Sequence, residues 1–116
     1  MASKEELYEE GMQDFALGEF AAAAGKFRRA LELDAKYFDA WHALAETLFR
    51  RGDLDAAIEA GKRAVAEKPD DQLAHTSLSR IYVKKGMIPE AEHHAAQSRI
   101  AGWKDQLQKP KPPAAS

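Results

Sequence analysis

The sequence of 116 residues contains no cysteine. This absence excludes disulfide bonds, thiolate metal sites and cysteine nucleophiles. The sequence also lacks any apolar run near the ~20 residues that a bilayer-spanning helix needs. Its start, MASKEELYEEG, becomes acidic at once and has no apolar core of the kind found in secretory signals. We therefore expect no membrane insertion and a cytoplasmic location.

A basic excess is missing as well. Lys and Arg number 17 against 19 Asp and Glu, which leaves a net charge of −2 at pH 7. Phosphate recognition depends on a clear basic excess, so we expect no nucleic acid partner. The 45% hydrophobic and 31% charged content is typical of a folded domain of ordinary size.

What the sequence does contain is an internal repeat of 34 residues. Four sets of positions share this period: Gly18, Gly52 and Gly86; Ala23, Ala57 and Ala91; Ala30, Ala64 and Ser98; Phe15, Phe49 and Val83. A period of this length indicates stacked structural units, because one such unit cannot bury its own apolar face. We predict one domain over residues 4–105, with units at 4–37, 38–71 and 72–105.

Each unit has the pattern of a helical hairpin. In the second unit, apolar side chains recur at the three- and four-residue spacing of an amphipathic helix: Phe38, Trp41, Leu44, Ala45 and Leu48. Gly52 follows where a helix commonly ends in a left-handed residue. Asp53 is expected to cap the next helix, and Pro69 to stop it.

These residues resemble the tetratricopeptide repeat, whose pattern is W-x₂-L-G-x₂-Y…A-x₃-F…P. The resemblance covers residues 4–105 and rests on Trp41-x-x-Leu44, Leu78-Ser79-x-x-Tyr82, Ala23-x-x-x-Phe27 and Pro69. It implies an all-α, right-handed superhelical solenoid of three helix-turn-helix hairpins. Five positions depart from the pattern and put its exact packing in question: Leu7, Asp14, Gly61, Ala95 and Trp103.

Two details of packing can be anticipated. Gly61 lies mid-helix, where glycine costs about 1 kcal/mol relative to alanine, so a bulky neighbour is expected to use the space, either Trp41 or an aromatic residue of the next hairpin. Trp103 and Leu107 are expected to form a short C-terminal capping turn over the last helix. Residues 106–116 form a Pro-rich tail that we expect to be disordered.

In proteins of the family that this chain resembles, the first helix of each hairpin lines a concave surface that holds peptide ligands. The helix period then assigns groove residues in each unit. From the first they are Glu5, Tyr8, Glu9, Met12 and Phe15; from the second, Asp39, His42, Ala43, Glu46, Phe49 and Arg50; from the third, Leu73, Thr76, Ser77, Arg80, Val83 and Lys84.

The charge of this predicted groove changes along the chain. Units 4–37 and 38–71 each contain 8 acidic and 5 basic residues, whereas unit 72–105 contains 3 acidic and 5 basic residues. Such polarity would orient a ligand that carries basic groups at one end and acidic groups at the other. Tyr8, Met12, Phe15 and Phe49 are the expected apolar anchors. Alternatively, the charges only solvate the helices, and the two phenylalanines are half-buried core.

The resemblance also allows one family ligand to be tested against the residues. Chaperone-binding members hold a C-terminal carboxylate with a clamp of lysines, asparagines and an arginine. The corresponding positions here are Tyr8, Met12, Ala43, Leu73 and Ser77, none of which is a cation or an asparagine. Because the charge-assisted hydrogen bonds of a clamp are worth roughly 1.5–3 kcal/mol each, we predict no clamp-type binding of peptides that end in EEVD.

Two other classes of function are less well supported. A metal or hydrolytic site would have to use Glu90, His93 and His94, but adjacent histidines point about 100° apart on a helix. His75 is interpreted as a partly buried histidine with satisfied hydrogen bonds. Self-association is the alternative function, since a short terminal cover and the Ala-rich stretches 21–24 and 91–96 would permit close approach of copies.

The sequence therefore predicts a non-catalytic interaction module that binds a peptide or helix of a partner protein in its concave groove. No cofactor, catalytic residue or metal site is expected. A self-assembling homo-oligomer is the alternative.

Overall fold

The computed structural model describes residues 1–109 and forms six α-helices within them. They are α1 (Lys4–Ala16), α2 (Phe20–Leu33), α3 (Phe38–Arg51), α4 (Leu54–Glu67), α5 (Gln72–Lys85) and α6 (Ile88–Gln108). No β-strand occurs in this described part of the chain. The helices pair as α1/α2, α3/α4 and α5/α6, and each pair packs on the next. The predicted all-α solenoid of three hairpins is confirmed.

The 34-residue period is visible in the turns and in the core. Gly18, Gly52 and Gly86 adopt φ angles of 78°, 84° and 87°, the left-handed region where glycine is unstrained. The alanines that repeat at this period let the paired helices approach closely, and all of them are buried: Ala23, Ala57 and Ala91. Identical spacing therefore produces three similar hairpins.

The helix N-termini are capped unequally. Ser3 and Glu6 form a capping box at α1, and Asp71 accepts a hydrogen bond from the backbone N–H of Ala74 at α5. Asp53 lies at the predicted cap of α4, but its side chain makes no capping hydrogen bond there. Its carboxylate instead lies 3.4 Å from Nε of Arg51, so the capping role predicted for Asp53 is wrong.

The departures from the repeat pattern are accommodated by specific contacts. Asp14, at the tyrosine position, pairs with Lys26 at 2.9 Å and joins α1 to α2. A Cβ atom at Gly61 would lie 3.0 Å from Cδ1 of Leu78, which is fully buried. The neighbour that uses the space at Gly61 is thus an aliphatic side chain of α5. The prediction of Trp41 or an aromatic residue at this place is wrong.

The two ends of the stack carry polar residues at the positions through which the hairpins pack on one another. Where α3 and α5 pack on the preceding hairpin they present apolar or small side chains, but α1 presents exposed polar residues at the same three repeat positions: Glu6, Glu10 and Gln13. On α6, Glu92 occupies the repeat position of Ala24 and Ile58, and Arg99 occupies that of Leu31 and Val65. Through those apolar side chains α2 and α4 pack on the next helix. Neither outer face therefore offers the apolar surface by which the three hairpins stack.

The last helix is longer than the others, with 21 residues against 14 in α2 and α4. The short capping turn expected at Trp103 and Leu107 is therefore a continuation of α6. Both side chains are largely exposed, at 66% and 70%, and do not cover the stack. Lys104 of this extension lies 3.5 Å from Asp70. Of the predicted tail, residues 106–108 are helical, and 110–116 lie outside the described residues.

None of the helices in residues 1–109 combines the length and the apolar composition needed to cross a bilayer.

Candidate functional site

The first helices of the three hairpins lie side by side, because α3 contacts both α1 and α5. A pocket of about 250 Å³ opens between α1 and α3. Its seven lining residues all belong to the groove predicted from the helix period: Tyr8, Met12, Phe15, His42, Ala43, Glu46 and Arg50. We name this site the α1/α3 pocket.

Tyr8, which lines the α1/α3 pocket, packs against two further aromatic rings. The ring of Tyr8 lies 5.9 Å from that of Phe27 and 5.7 Å from that of Tyr37, between centroids. Tyr37 belongs to the loop before α3 and does not line the pocket, and its contact with Tyr8 was not predicted because the loop lies outside the helix period. An aromatic residue directly before an amphipathic helix was the signal that could have found it, since such a residue often packs back on the hairpin.

Phe15 and Phe49 are only partly available to a ligand. The guanidinium of Arg50 lies 5.6 Å from the ring centre of Phe15, and that of Arg80 lies 5.4 Å from the ring centre of Phe49. Both phenylalanines are half-buried against the core. Met12, which is 39% exposed, is the more accessible apolar side chain of the pocket.

Polar contacts join α3 to α5 across the concave surface. Nε2 of His42 lies 2.9 Å from the hydroxyl of Ser77, and a guanidinium nitrogen of Arg80 lies 3.6 Å from a carboxylate oxygen of Glu46. The hydroxyl of Thr76 lies 2.6 Å from that of Ser98 on α6, so Thr76 is directed between α5 and α6 rather than into the groove. The contacts of His42 with Ser77 and of Glu46 with Arg80 fix the relative positions of α3 and α5.

Carboxylates surround the end of the groove formed by α1 and α3. Glu5, Glu9 and Asp39 are exposed, and none of them forms an ion pair with another residue of the described chain. Burial raises the pKa of Tyr8, and the nearby Asp39 carboxylate raises it further. The pKa of Tyr37 is raised by burial and then by Asp39 and Glu5. Asp39 therefore lies close enough to act on both tyrosine hydroxyls, and Lys4 opposes its effect at Tyr37.

The cation nearest to these carboxylates in sequence is already paired. Nζ of Lys4 contacts the carboxylate of Asp34 and lies 5.1 Å from the ring centre of Tyr37. The Asp34 hydrogen bond raises the pKa of Lys4, and the Lys4 hydrogen bond lowers the pKa of Asp34. Lys4 therefore serves mainly the loop before α3. The Glu5 carboxylate also raises the pKa of Lys4, whereas Glu9 and Asp39 have no ion-pair partner within the described residues.

Four predicted groove residues of α1 and α3 do not line the α1/α3 pocket, namely Glu5, Glu9, Asp39 and Phe49, and the predicted residues of the third hairpin lie on α5. Leu73, Val83 and Lys84 are exposed, and none of them lines that pocket. The structure thus brings seven predicted residues of α1 and α3 together around one pocket, while α5 carries the predicted basic residues Arg80 and Lys84.

The histidines of the third hairpin form a hydrogen-bonded cluster. Nε2 of His75 lies 2.6 Å from the carbonyl oxygen of Pro69, and its Nδ1 lies 3.0 Å from Nδ1 of His94. His75 is buried, so the prediction of a buried histidine with satisfied hydrogen bonds is confirmed. No group of three or more possible ligands suited to a metal ion occurs within residues 1–109.

Solved structures with this fold include MamA and a secretion chaperone. A MamA structure has 30% sequence identity and a TM-score of 0.87, and the match covers 90% of this chain and 61% of that one. A second MamA structure has 28% identity and a TM-score of 0.85, with 97% and 61% of the chains covered. This chain therefore spans about three fifths of the length of the MamA chains that it matches.

The secretion chaperone is SycD, a type III secretion chaperone of Yersinia enterocolitica, solved in complex with a peptide of the translocator YopD. It has 18% identity and a TM-score of 0.81 to this chain, with 89% of this chain and 82% of that one covered. At this identity the likeness concerns the fold.

Comparison at the level of sequence gives a consistent result. A search of curated proteins finds no match. Two family models, both described as tetratricopeptide repeat, match residues 8–72 and 48–101. The first match alone covers more than half of the 116 residues, and together the two extend over all three hairpins. The chain belongs to the tetratricopeptide repeat family.

Proposed function

We propose that this protein is a non-catalytic interaction module that binds a segment of a partner protein on its concave surface, with one apolar side chain of the partner in the α1/α3 pocket. The observation that carries the proposal is the convergence of Tyr8, Met12 and Phe15 with His42 and Ala43 around one opening. Apolar pockets with a few polar groups at the edge are the usual form of a binding site.

Preorganisation supports this function. The contacts of His42 with Ser77 and of Glu46 with Arg80 hold α3 and α5 in place without a ligand. A surface that is already ordered loses little conformational entropy on binding, so more of the contact energy remains as affinity. The SycD complex supports the binding of a protein segment, because there a chain of this fold holds a peptide.

Filling the pocket should weaken binding. Ala43 lines the α1/α3 pocket and is 9% exposed, so in Ala43→Leu the larger side chain extends into the space that a partner side chain would use. We expect affinity capture from a lysate of the source cell, quantified by mass spectrometry, to show partners retained by the wild type and reduced at least about tenfold with Ala43→Leu, a loss of about 1.4 kcal/mol.

The matched control is Ala66→Leu, which makes the same change at an exposed position of α4. Met12→Gln keeps the length of an exposed side chain while removing its apolar character, so it tests the pocket without the overpacking that Ala43→Leu introduces. Helicity is checked first for all three variants by circular dichroism. Equal capture by the wild type, Ala43→Leu and Met12→Gln would contradict the proposal.

Self-association is the second candidate function. The observation that favours it is an apolar stripe on α6, formed at spacings of three and four residues by Ile100, Trp103 and Leu107, all exposed. Exposed apolar surface of this kind often marks an interface. Sedimentation over a range of concentrations decides the matter: a mass that rises with concentration supports assembly, and a constant monomer mass excludes it.

A further inference from the structure

The ion pairs of the concave surface leave its two ends unequal. At the α5 end, the guanidinium of Arg80 is shared between the carboxylate of Glu46 and the face of Phe49. Lys84 is then the only predicted cation of that end without an ion pair inside the described region. The basic end of the groove is therefore weaker than a count of charges indicates.

At the other end, the carboxylates are free. Glu5 and Glu9 are four residues apart on α1, and Met12 follows three residues later, so the two carboxylates share a helix face with a residue of the α1/α3 pocket. Asp39 lies in the first turn of α3, close enough to Tyr8 to raise the pKa of that hydroxyl. Arg50 is the only cation that lines the pocket, and its guanidinium faces Phe15.

We propose, on the basis of the binding function proposed above, that the groove selects a partner segment in which a lysine or arginine lies beside a bulky apolar residue. The apolar side chain occupies the α1/α3 pocket, and the basic side chain lies over the carboxylates of Glu5, Glu9 and Asp39. We expect no acidic residue in the motif at the other end of the segment, because the pairing of Arg80 with Glu46 weakens the basic charge there.

The physical reason is charge complementarity beside a partly desolvated anchor. Exposed charges attract weakly one by one and are screened by salt, but several carboxylates around one position add their fields. A basic group brought there by an anchored apolar residue gains this attraction without a separate cost of association. Complementary charge of this kind determines which partners bind and how fast they associate.

The test uses short random peptides displayed on phage and selected on the wild-type protein. The strongest binders are synthesised with a fluorescent label, and their Kd values are measured by anisotropy at low and at high salt. We expect selected peptides to share a bulky apolar residue with a Lys or Arg nearby. Replacing that basic residue by Gln should weaken binding about tenfold at low salt and less at high salt.

Variants of the protein locate the effect. In the triple variant Glu5→Gln, Glu9→Gln and Asp39→Asn, the selected peptides should bind about tenfold more weakly at low salt, with little remaining salt dependence. The matched control removes three exposed carboxylates from the second helices of the hairpins, through Glu32→Gln, Glu59→Gln and Glu92→Gln, and so has the same net charge. It should bind as the wild type does. Circular dichroism confirms that both triple variants fold.

The outcomes separate this inference from the function on which it rests. Two results would overturn the inference and leave groove binding intact, provided that the peptides lose affinity for Ala43→Leu. In the first, the selected peptides show no preference for a basic residue. In the second, they bind both triple variants equally. Peptides that bind Ala43→Leu as tightly as the wild type, or a selection that yields no binders, would overturn both. If the wild type assembles and Ala43→Leu does not, a second copy of the chain occupies the groove. This result would overturn the inference of a partner segment with a basic residue.

Discussion

Replacing three helical glycines by alanine, one at a time, should change the stability of this protein in opposite directions. Gly11→Ala is expected to lower the free energy of unfolding by about 2 kcal/mol, because a Cβ atom there would lie 2.6 Å from Cε1 of Phe27. Phe27 is fully buried and its ring cannot move aside. Overpacking of about 3 kcal/mol then exceeds the gain of about 1 kcal/mol from helix propensity.

Gly25→Ala is the control within the same hairpin. No atom lies within 4 Å of a Cβ placed at Gly25, so the substitution keeps the helix-propensity gain and should stabilise the protein by about 0.5–1 kcal/mol. Gly61→Ala is expected to fall between the two, because its Cβ would meet Leu78 at 3.0 Å.

Chemical denaturation followed by far-UV circular dichroism measures all three variants against the wild type. The expected order of stability is Gly25→Ala first, Gly61→Ala second and Gly11→Ala last. If Gly11→Ala were as stable as Gly25→Ala, the close packing of α1 on Phe27 described above would be incorrect.

Acidification should destabilise the third hairpin before the rest of the protein. Burial, followed by the charges of His75 and His93, lowers the pKa of His94 from 6.5 to about 4. The unfolded chain therefore binds a proton below pH 6.5 that the folded chain does not accept until the pH approaches 4. Since the unfolded state holds more protons in this window, stability falls as the pH decreases from about 6.5 to about 4.

The geometry of the cluster explains the penalty. The carbonyl of Pro69 can only accept a hydrogen bond, so with both rings neutral His75 donates from Nε2 and its Nδ1 accepts from Nδ1 of His94. The other groups that face His94 are the stacked ring of Tyr82 and the edge of His93. Within residues 1–109, no carboxylate forms an ion pair with His94. A proton on His94 therefore has no compensating charge.

We expect the wild type to lose about 1–2 kcal/mol of unfolding free energy between neutral pH and about pH 4.5, less than the full shift because the ring is partly exposed. His94→Gln should flatten this dependence, whereas His93→Gln, at an exposed neighbouring position, should largely retain it. Denaturation curves at several pH values measure the slopes. Equal slopes in the wild type and His94→Gln would contradict the assignment.

Hydrogen exchange should show α6 opening first, because α6 packs only on α5 within the described chain.

The fold could be read from the sequence because the repeat states the same local rules three times. Glycine at 18, 52 and 86 ends or follows the first helices, alanine at 23, 57 and 91 allows close helix pairing, and each hairpin repeats these contacts. In such solenoids most contacts lie within a hairpin or between neighbouring hairpins. Helix spacing also identified all the residues that line the α1/α3 pocket, since side-chain direction on a helix follows from its period.

Contacts between hairpins were harder to predict from sequence. The space at Gly61 is used by Leu78, a residue 17 positions away, and an aromatic neighbour was expected. The pairing of Glu46 with Arg80, which are 34 positions apart, reduces the basic character that a count of charges assigned to one end of the groove. Trp103 and Leu107 continue α6, which runs through Gly102 to Gln108.

The sequence by itself therefore determined the family, the three hairpins and the residues able to face the groove, since these depend on local periodicity and on small residues at fixed positions. Only the tertiary structure decided which of those residues meet in a pocket, which charges are already paired and which apolar side chains stay exposed. These properties depend on distances between side chains of different helices, and such distances are set by packing across the hairpins.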